Sequence, residues 1–356
     1  MTRIGVLLPN WIGDVVMATP ALRALRQHYR DSATLVGIMR PYVAEVLGGT
    51  SLLDEMVQYR GSNNAVWMFA SLAARLRRQR LDGLVLFTNS FLTALAGRLS
   101  GTPRLWGYSK YFRAWLLTDC MHQRRPGEHD RPISAVDYYL SLVEQLGCVP
   151  QGRHPELATQ PADDEAAARV WQRLGLAEHG TILLNTGGAY GEAKRWPARH
   201  FALLARMLVN QLGASVLVLC GPAERDAAQA ITRMANHPRV VSLADEPTSI
   251  GLSKACVKRG RLMVTTDSGP RHFAAAFGTP VVTLFGSTDP RWSENYHPQA
   301  IHLSHPVDCG PCARRVCPLG HHRCMTDLTP QQVFRAVVQL WESSAPGDVR
   351  PLRTPA

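Results

Sequence analysis

An apolar run from Arg261 to Thr265 ends in the polar turn Thr266-Asp267-Ser268-Gly269, and a small-residue helix, Pro270-Arg271-His272 on to Phe277, follows directly. A second apolar run, Pro280 to Phe285, closes with Gly286-Ser287-Thr288-Asp289-Pro290. Strand, tight polar turn, helix and strand in so short a stretch is the pattern of a parallel α/β sheet. The turn between such a strand and the helix it opens is where these sheets bind phosphate groups. Backbone N–H groups and the helix dipole both favour an anion there, by roughly 0.3–2 kcal/mol. Gly269 lets the backbone approach a ligand closely, and Pro270 suits the first helical position. The competing reading is that Asp267 or Ser268 only caps the helix.

The alternation extends along the chain. Arg3 to Pro9, Ala33 to Met39 and Gly83 to Phe87 read as strands. Helices are expected from Gly13-Asp14 to about Tyr29, from Val66 to Arg78, amphipathic, with Trp67, Leu72 and Leu76 among its apolar positions, and from Ser134 to Leu146. Val149 to Asp163, with Pro150, Gly152, Pro155 and Pro161, is the linker. Beyond it come a helix from Asp163 to Leu174, strands at Thr181–Asn185, Ser215–Cys220 and Val240–Leu243, the unit described above, and an amphipathic helix from Thr329 to Glu342. Pro346 to Ala356 reads as a loose tail. This divides the chain into α/β domains at residues 1–155 and 163–328, with a final helix at 329–344.

Three more strand ends carry polar turns. Asn185-Thr186-Gly187-Gly188-Ala189 ends one strand and leads into Gly191-Glu192-Ala193-Lys194-Arg195-Trp196-Pro197. Leu8-Pro9-Asn10-Trp11-Ile12-Gly13-Asp14 ends the first strand, and Thr88-Asn89-Ser90-Phe91 ends a third. In this order and spacing the motifs resemble those of the bacterial ADP-heptose:lipopolysaccharide heptosyltransferases, glycosyltransferase family nine, and within it the heptosyltransferase II branch. The resemblance runs from about Arg3 to Val333. It implies a GT-B fold, two Rossmann-like parallel-sheet domains facing a cleft, with the last helix packed back on the N-terminal domain.

The resemblance also implies a reaction: inverting, metal-independent transfer of L-glycero-D-manno-heptose from ADP-heptose to the lipopolysaccharide inner core, either Kdo-lipid A or heptosyl-Kdo-lipid A. Without a metal, protein groups must neutralise the leaving diphosphate. Lys194 is the leading candidate, and Thr186, the Gly187-Gly188 backbone and the Ser268-Gly269 helix start supply neutral donors. Glu224, just past a strand end, is the candidate for the ribose hydroxyls, with first-turn helix charge as its alternative. Asp267 matches an aspartate near the donor sugar, and His272 is either a diphosphate contact or a packed histidine. Asp14 is the candidate general base, with helix N-cap as a second role. Asn89, Ser90 and Arg113 are acceptor-side candidates. Arg113 lies in the arginine-rich stretch 108–132, which also holds Arg124, Arg125 and Arg131 and the aromatics Tyr108, Tyr111, Phe112 and Trp115. Arginine pairs phosphates bidentately; the alternative is a solvated loop over core-packing aromatics.

Net charge is +11, from four lysines and 35 arginines against 28 acids. Nucleic acid, a membrane surface and an acidic substrate all fit such a charge. No basic run has the length of a nucleic-acid tail. Attraction to an anionic membrane face bearing a phosphorylated glycolipid fits as well. No apolar run approaches the ~18 residues that span a bilayer, and Pro9 and Asp14 break up the start of the chain. A monomer in the cytoplasm, peripheral at the inner face of the inner membrane, is expected.

Eight cysteines remain to be placed. Cys120, Cys148, Cys220 and Cys256 are scattered and read as core thiols. Cys309, Cys312, Cys317 and Cys324 cluster with His321 and His322. The cluster reads as a loop clip, either a structural zinc site or reduced thiols or disulfides, and no cofactor is required for catalysis. Three other functions compete: a GT-B transferase with another sugar or acceptor, a nucleic-acid-binding module built on the cysteines, and a sugar-nucleotide binder without catalysis. The second leaves the strand-end motifs unexplained, and Asp14 with Lys194 argues against the third.

Overall fold

The computed structural model describes residues 2–60, 65–122, 132–187 and 190–343. They form two compact units. One runs to Gln160 and takes in Arg291–Tyr296; the other holds Pro161–Pro290 and the chain from His297. Among the described residues no helix is long and apolar enough to cross a membrane.

The first unit has strands β1 Thr2–Leu7, β2 Ala33–Met39, β3 Glu55–Gln58, β4 Gly83–Leu86, β5 Arg104–Tyr108 and β6 Asp119–Met121. Its helices are α1 Ile12–Met17, α2 Thr19–Tyr29, α3 Pro41–Leu47, α4 Ala65–Gln79, α5 Phe91–Leu99 and α6 Ala135–Glu144. The sheet order is β3-β2-β1-β4-β5-β6, and every neighbouring pair is parallel. Leu7 at the end of β1 lies between Ile38 and Leu86, so the strand order reverses between β1 and β4. Ligands of doubly wound sheets bind at such reversals, beyond the carboxyl ends of the strands.

The second unit repeats the plan. Its strands are β7 Thr181–Asn185, β8 Ser215–Leu219, β9 Val240–Ser242, β10 Leu262–Thr266, β11 Val281–Phe285 and β12 Ala300–Ser304. Its helices are α7 Pro161–Arg173, α8 Ala198–Leu212, α9 Arg225–Ala235, α10 Ile250–Arg259, α11 Pro270–Phe277, α12 Arg323–Thr326 and α13 Pro330–Ser343. The order β12-β11-β10-β7-β8-β9 is again wholly parallel and reverses between β7 and β10. Every residue of β7, β8, β10 and β11 is buried, as a sheet covered on both faces requires.

The structure departs from the sequence reading in three places. The first long helix is two helices with a break at Ala18. Pro20 has no N–H for a continuous ladder, and Thr19 turns its hydroxyl back to the Val16 carbonyl at 2.7 Å. On α4, Leu72 and Leu76 are buried but Trp67 faces solvent, 69% exposed. The final helix α13 packs on α8, β10 and β11 of its own unit. The late segment that belongs to the first unit is instead Arg291–Tyr296, where the Ser134 hydroxyl donates to the Glu294 carbonyl at 2.9 Å and Tyr296 bonds Asp137.

Candidate active site

In the second unit the two turns at the reversal point interlock. Asn185 ends β7, and its side-chain amide donates to the Thr265 and Ser268 hydroxyls, each at 2.9 Å. Thr266 donates to the Gly187 carbonyl at 2.8 Å. A Cβ on Gly187 would stand 2.4 Å from Ser268 Oγ and 2.6 Å from its Cβ. Only glycine lets the turn after β7 pass this close to the turn after β10. Thr186 is half-buried beside it, and Gly188 lies outside the described residues. Gly269 immediately precedes α11, with Pro270 in its first turn, so the Ser268-Gly269 backbone marks a helix N-terminus.

Lys194 and Asp267 meet at this point. Lys194 closes a short 3-10 turn, Glu192–Lys194, and is buried. Its Nζ donates to Asp267 Oδ2 at 2.5 Å and stands 4.3 Å from the centre of the Tyr190 ring. Asp267 also receives Thr288 Oγ1 at 2.7 Å and Arg271 Nη1 at 3.3 Å. Burial alone would raise the Asp267 carboxyl; the charges of Lys194 and Arg271, with the Lys194 and Thr288 hydrogen bonds, outweigh it and hold the group well below the usual carboxylate range. Arg271 is itself buried, 4.9 Å from the Phe285 ring centre and 3.3 Å from His302 Nε2. Two cations thus converge on one carboxylate in a buried place beside a helix start. Arg271, Thr288 and Tyr190 were not singled out from sequence; the signal for Arg271 was its position four residues after Asp267, across the start of a helix.

The remaining donor-side candidates have plainer surroundings. His272 is buried in α11, and burial together with the Arg271 charge pushes its imidazole well below its ordinary range. It is therefore a neutral group near pH 7. Glu224 ends the 3-10 turn Pro222–Glu224, and its Oε2 accepts from the Gly221 N–H at 3.0 Å, so the carboxylate holds the turn after β8.

In the first unit Asp14 lies in the helix that follows β1 and Asn89 in the turn that follows β4, the two strands between which the sheet order reverses. Asp14 is half-buried in the first turn of α1. It is not the N-cap: Trp11 occupies that position and makes no side-chain cap bond. Burial pushes the neighbouring Tyr139 phenol well above its ordinary value, and the Asp14 charge pushes the same way. Ser90 is the true cap of α5, accepting the Thr93 N–H at 3.1 Å. Asn89 Oδ1 accepts from Tyr138 at 2.9 Å and from Arg113 at 3.1 Å.

Arg113, one of the acceptor-side candidates, turns inward. It is fully buried, and it donates to the carbonyls of Tyr108 at 3.0 Å and Thr88 at 2.6 Å besides Asn89. A guanidinium so used ties two loops together and presents nothing to an anion. The aromatics around it divide: Tyr108 is buried, whereas Tyr111, Phe112 and Trp115 face solvent, Phe112 at 94% exposure. Arg124, Arg125 and Arg131 lie outside the described residues.

The four clustered cysteines line one cavity with His321 and His322. All four are free thiols, and no three His, Cys, Asp or Glu donors among the described residues form a ready coordination group. Of the scattered cysteines, Cys148, Cys220 and Cys256 are buried and Cys120 is half-buried.

Comparison with known proteins gives one consistent picture. The model of glycosyltransferase family 9 (heptosyltransferase) matches residues 69–323. The chain is similar to the lipopolysaccharide heptosyltransferase 2 of Escherichia coli strain K12, 27% identical over 93% of this chain and 96% of that one. It superposes on the structure of E. coli ADP-heptose LPS heptosyltransferase II with a TM-score of 0.77 at 24% identity, covering 95% of this chain and 98% of that one. A family 9 glycosyltransferase from Veillonella parvula gives 0.80 at 23% identity, over 96% and 98% of the two chains. These likenesses show that the two Rossmann-like units are those of a GT-B fold. The family model covers well over half of the chain, which therefore belongs to glycosyltransferase family 9, the heptosyltransferases.

Proposed function

We propose that this chain transfers L-glycero-D-manno-heptose from ADP-heptose to the lipopolysaccharide inner core, with inversion at the anomeric carbon. The observation that carries the reading is the Lys194–Asp267–Arg271 cluster, two cations on one carboxylate at the β7/β10 reversal and the start of α11. A diphosphate is the anion that such a place fits. As the glycosidic bond to the diphosphate breaks, negative charge develops on the leaving oxygen. Lys194 stabilises it, the Ser268-Gly269 backbone and Thr186 add neutral donors, and Asp267 with Arg271 holds the ammonium in place. Glu224 receives the ribose. Neutralisation by fixed protein charge makes a catalytic metal unnecessary in this reading. Asp14 takes the proton of the acceptor hydroxyl as that oxygen bonds the anomeric carbon.

The acceptor is a phosphorylated Kdo-lipid A or heptosyl-Kdo-lipid A, met by the first unit. The exposed Tyr111, Phe112 and Trp115, and the net charge of +11, support peripheral contact with an anionic membrane on the cytoplasmic side. The protein works there as a monomer and without nucleic acid. Mass spectrometry of core-truncated glycolipid, incubated with the chain and a panel of nucleotide sugars, tests the proposal. A mass increase of one heptose with ADP-heptose is expected. Transfer only from a UDP- or GDP-sugar would replace the donor, and binding of every donor without transfer would remove the enzyme.

A further inference from the structure

The loop after β12 puts soft metal ligands against the turn that carries Lys194. Cys309, Cys312, Cys317 and Cys324, with His321 and His322, line a single cavity. Cys309 Sγ lies 3.8 Å from His321 Nε2. Four sulfurs also match in number the closed shell of a structural zinc site.

The span between Cys312 and Cys317 reaches the proposed diphosphate grip. The Arg315 carbonyl accepts the Ala193 N–H at 3.0 Å, and the Ala313 carbonyl accepts the Tyr190 hydroxyl at 2.8 Å. Ala313 N–H donates to the Ser287 carbonyl at 2.6 Å, one residue before Thr288. Gly191, at φ +154°, lies so close that a Cβ there would stand 2.3 Å from the Arg315 oxygen. The Tyr190 ring carries Lys194 Nζ at 4.3 Å and the Arg315 guanidinium at 5.4 Å. Nothing in residues 305–322 is helix or strand, so these contacts depend on whatever fixes the ends of the loop.

We propose that Cys309, Cys312, Cys317 and Cys324 bind one soft divalent cation of the zinc type, and that this ion braces the Lys194 turn by pinning both ends of the 313–316 span. The sulfurs line the cavity without forming a closed shell, and binding would turn them inward about Cα–Cβ. The ion takes no part in transfer. The brace rests on the role proposed for Lys194, whereas the metal site does not.

The test uses the full chain, purified reduced and without a metal-binding tag. Elemental analysis after equilibration with zinc and removal of excess should give about one equivalent per chain. Cobalt in place of zinc should produce thiolate charge-transfer absorption. The double variant Cys312→Ser/Cys317→Ser should lose both signals. Native protein that stays metal-free in excess zinc, with all four cluster thiols open to a thiol reagent or joined as disulfides, would overturn the site. Chelation of the loaded protein should speed amide exchange of residues 190–195 by about tenfold or more, a local opening, and weaken ADP binding severalfold. Metal loss that leaves this exchange unchanged would overturn the brace. Failure of the metal-loaded chain to bind ADP at all would instead strike the Lys194 reading and leave the metal site standing.

Discussion

Lys194 Nζ donates to Asp267 Oδ2 at 2.5 Å across a sequence separation of 73 residues. The bond ties the turn that follows β7 to the one that follows β10, the two strands at which the sheet order reverses. Asp267 is the hub, since Arg271 and Thr288 end on the same carboxylate.

Asp267→Asn should therefore act first on stability. It removes the carboxylate that two buried cations share, and breaking a buried pair from one side costs about 3–5 kcal/mol. The pH dependence has a definite sign. The folded-state carboxyl is held well below its ordinary value of 3.8, so its contribution is fully present above that value and is lost as the pH falls toward the folded one. Denaturant unfolding of native protein and variant should show a gap that is constant near neutrality and narrows as acid is added below about pH 5. A gap that stays constant to pH 3 would show that Asp267 is not the ionised centre of this cluster.

Lys194→Ala should act on the nucleotide. Losing one charged contact to a diphosphate costs about 1.5–3 kcal/mol, a factor of roughly 10 to 150 in dissociation constant. Calorimetry should show this loss for ADP and a much smaller one for adenosine, which has no phosphate. Equal losses for both ligands would point to general damage of the pocket, and unchanged ADP affinity with unchanged turnover would end the diphosphate role.

What sequence made visible here follows burial. The strands β7, β8, β10 and β11 are continuous apolar runs because both faces are covered. The edge strands β3, Glu-Met-Val-Gln, and β6, Asp-Cys-Met, carry polar residues and are short, so no run announces them. At the site, Lys194, Asp267, Gly187 and Ser268 stand in turns at strand ends, which a strand-and-turn pattern can find. Thr288 and Tyr190 enter through contacts between loops that no spacing encodes. Arg113 misleads for a related reason. An arginine-rich, aromatic stretch reads as surface, yet Tyr111 and Phe112 adopt left-handed backbone, φ +53° and +58°, just before the arginine turns inward to the Tyr108 and Thr88 carbonyls.

Arg113→Met should accordingly destabilise the first unit and leave phosphate recognition alone. Hydrogen bonds from a charged group are worth about 1.5–3 kcal/mol, and the left-handed Tyr111-Phe112 pair loses the anchor that offsets its strain. The midpoint of thermal unfolding should fall. In protein that remains folded, KM for acceptors with and without core phosphates should change by a similar factor. A loss confined to the phosphorylated acceptor would restore Arg113 to the acceptor site.

Asp14→Asn separates an enzyme from a binder. A sugar hydroxyl is a weak nucleophile until its proton begins to leave, and a carboxylate within about 2.6–3.2 Å can accept that proton as the new bond forms. Asparagine keeps the size and removes the charge. Turnover should fall by roughly 10²–10⁴, the usual contribution of a general base. Stability should change little, because Trp11 and not Asp14 holds the N-cap position of α1, and the first-turn charge contributes about 0.3–1 kcal/mol through the helix dipole. ADP affinity should hold, since the proposed nucleotide contacts all belong to the second unit. Solvent pH profiles add a second measure: the acid limb of kcat/KM in the native protein should reflect the base, and should be absent from the residual activity of the variant. Transfer by Asp14→Asn at close to the native rate would leave Asp14 as first-turn helix charge, and the base would then have to come from another residue at the carboxyl ends of the β1–β4 pair.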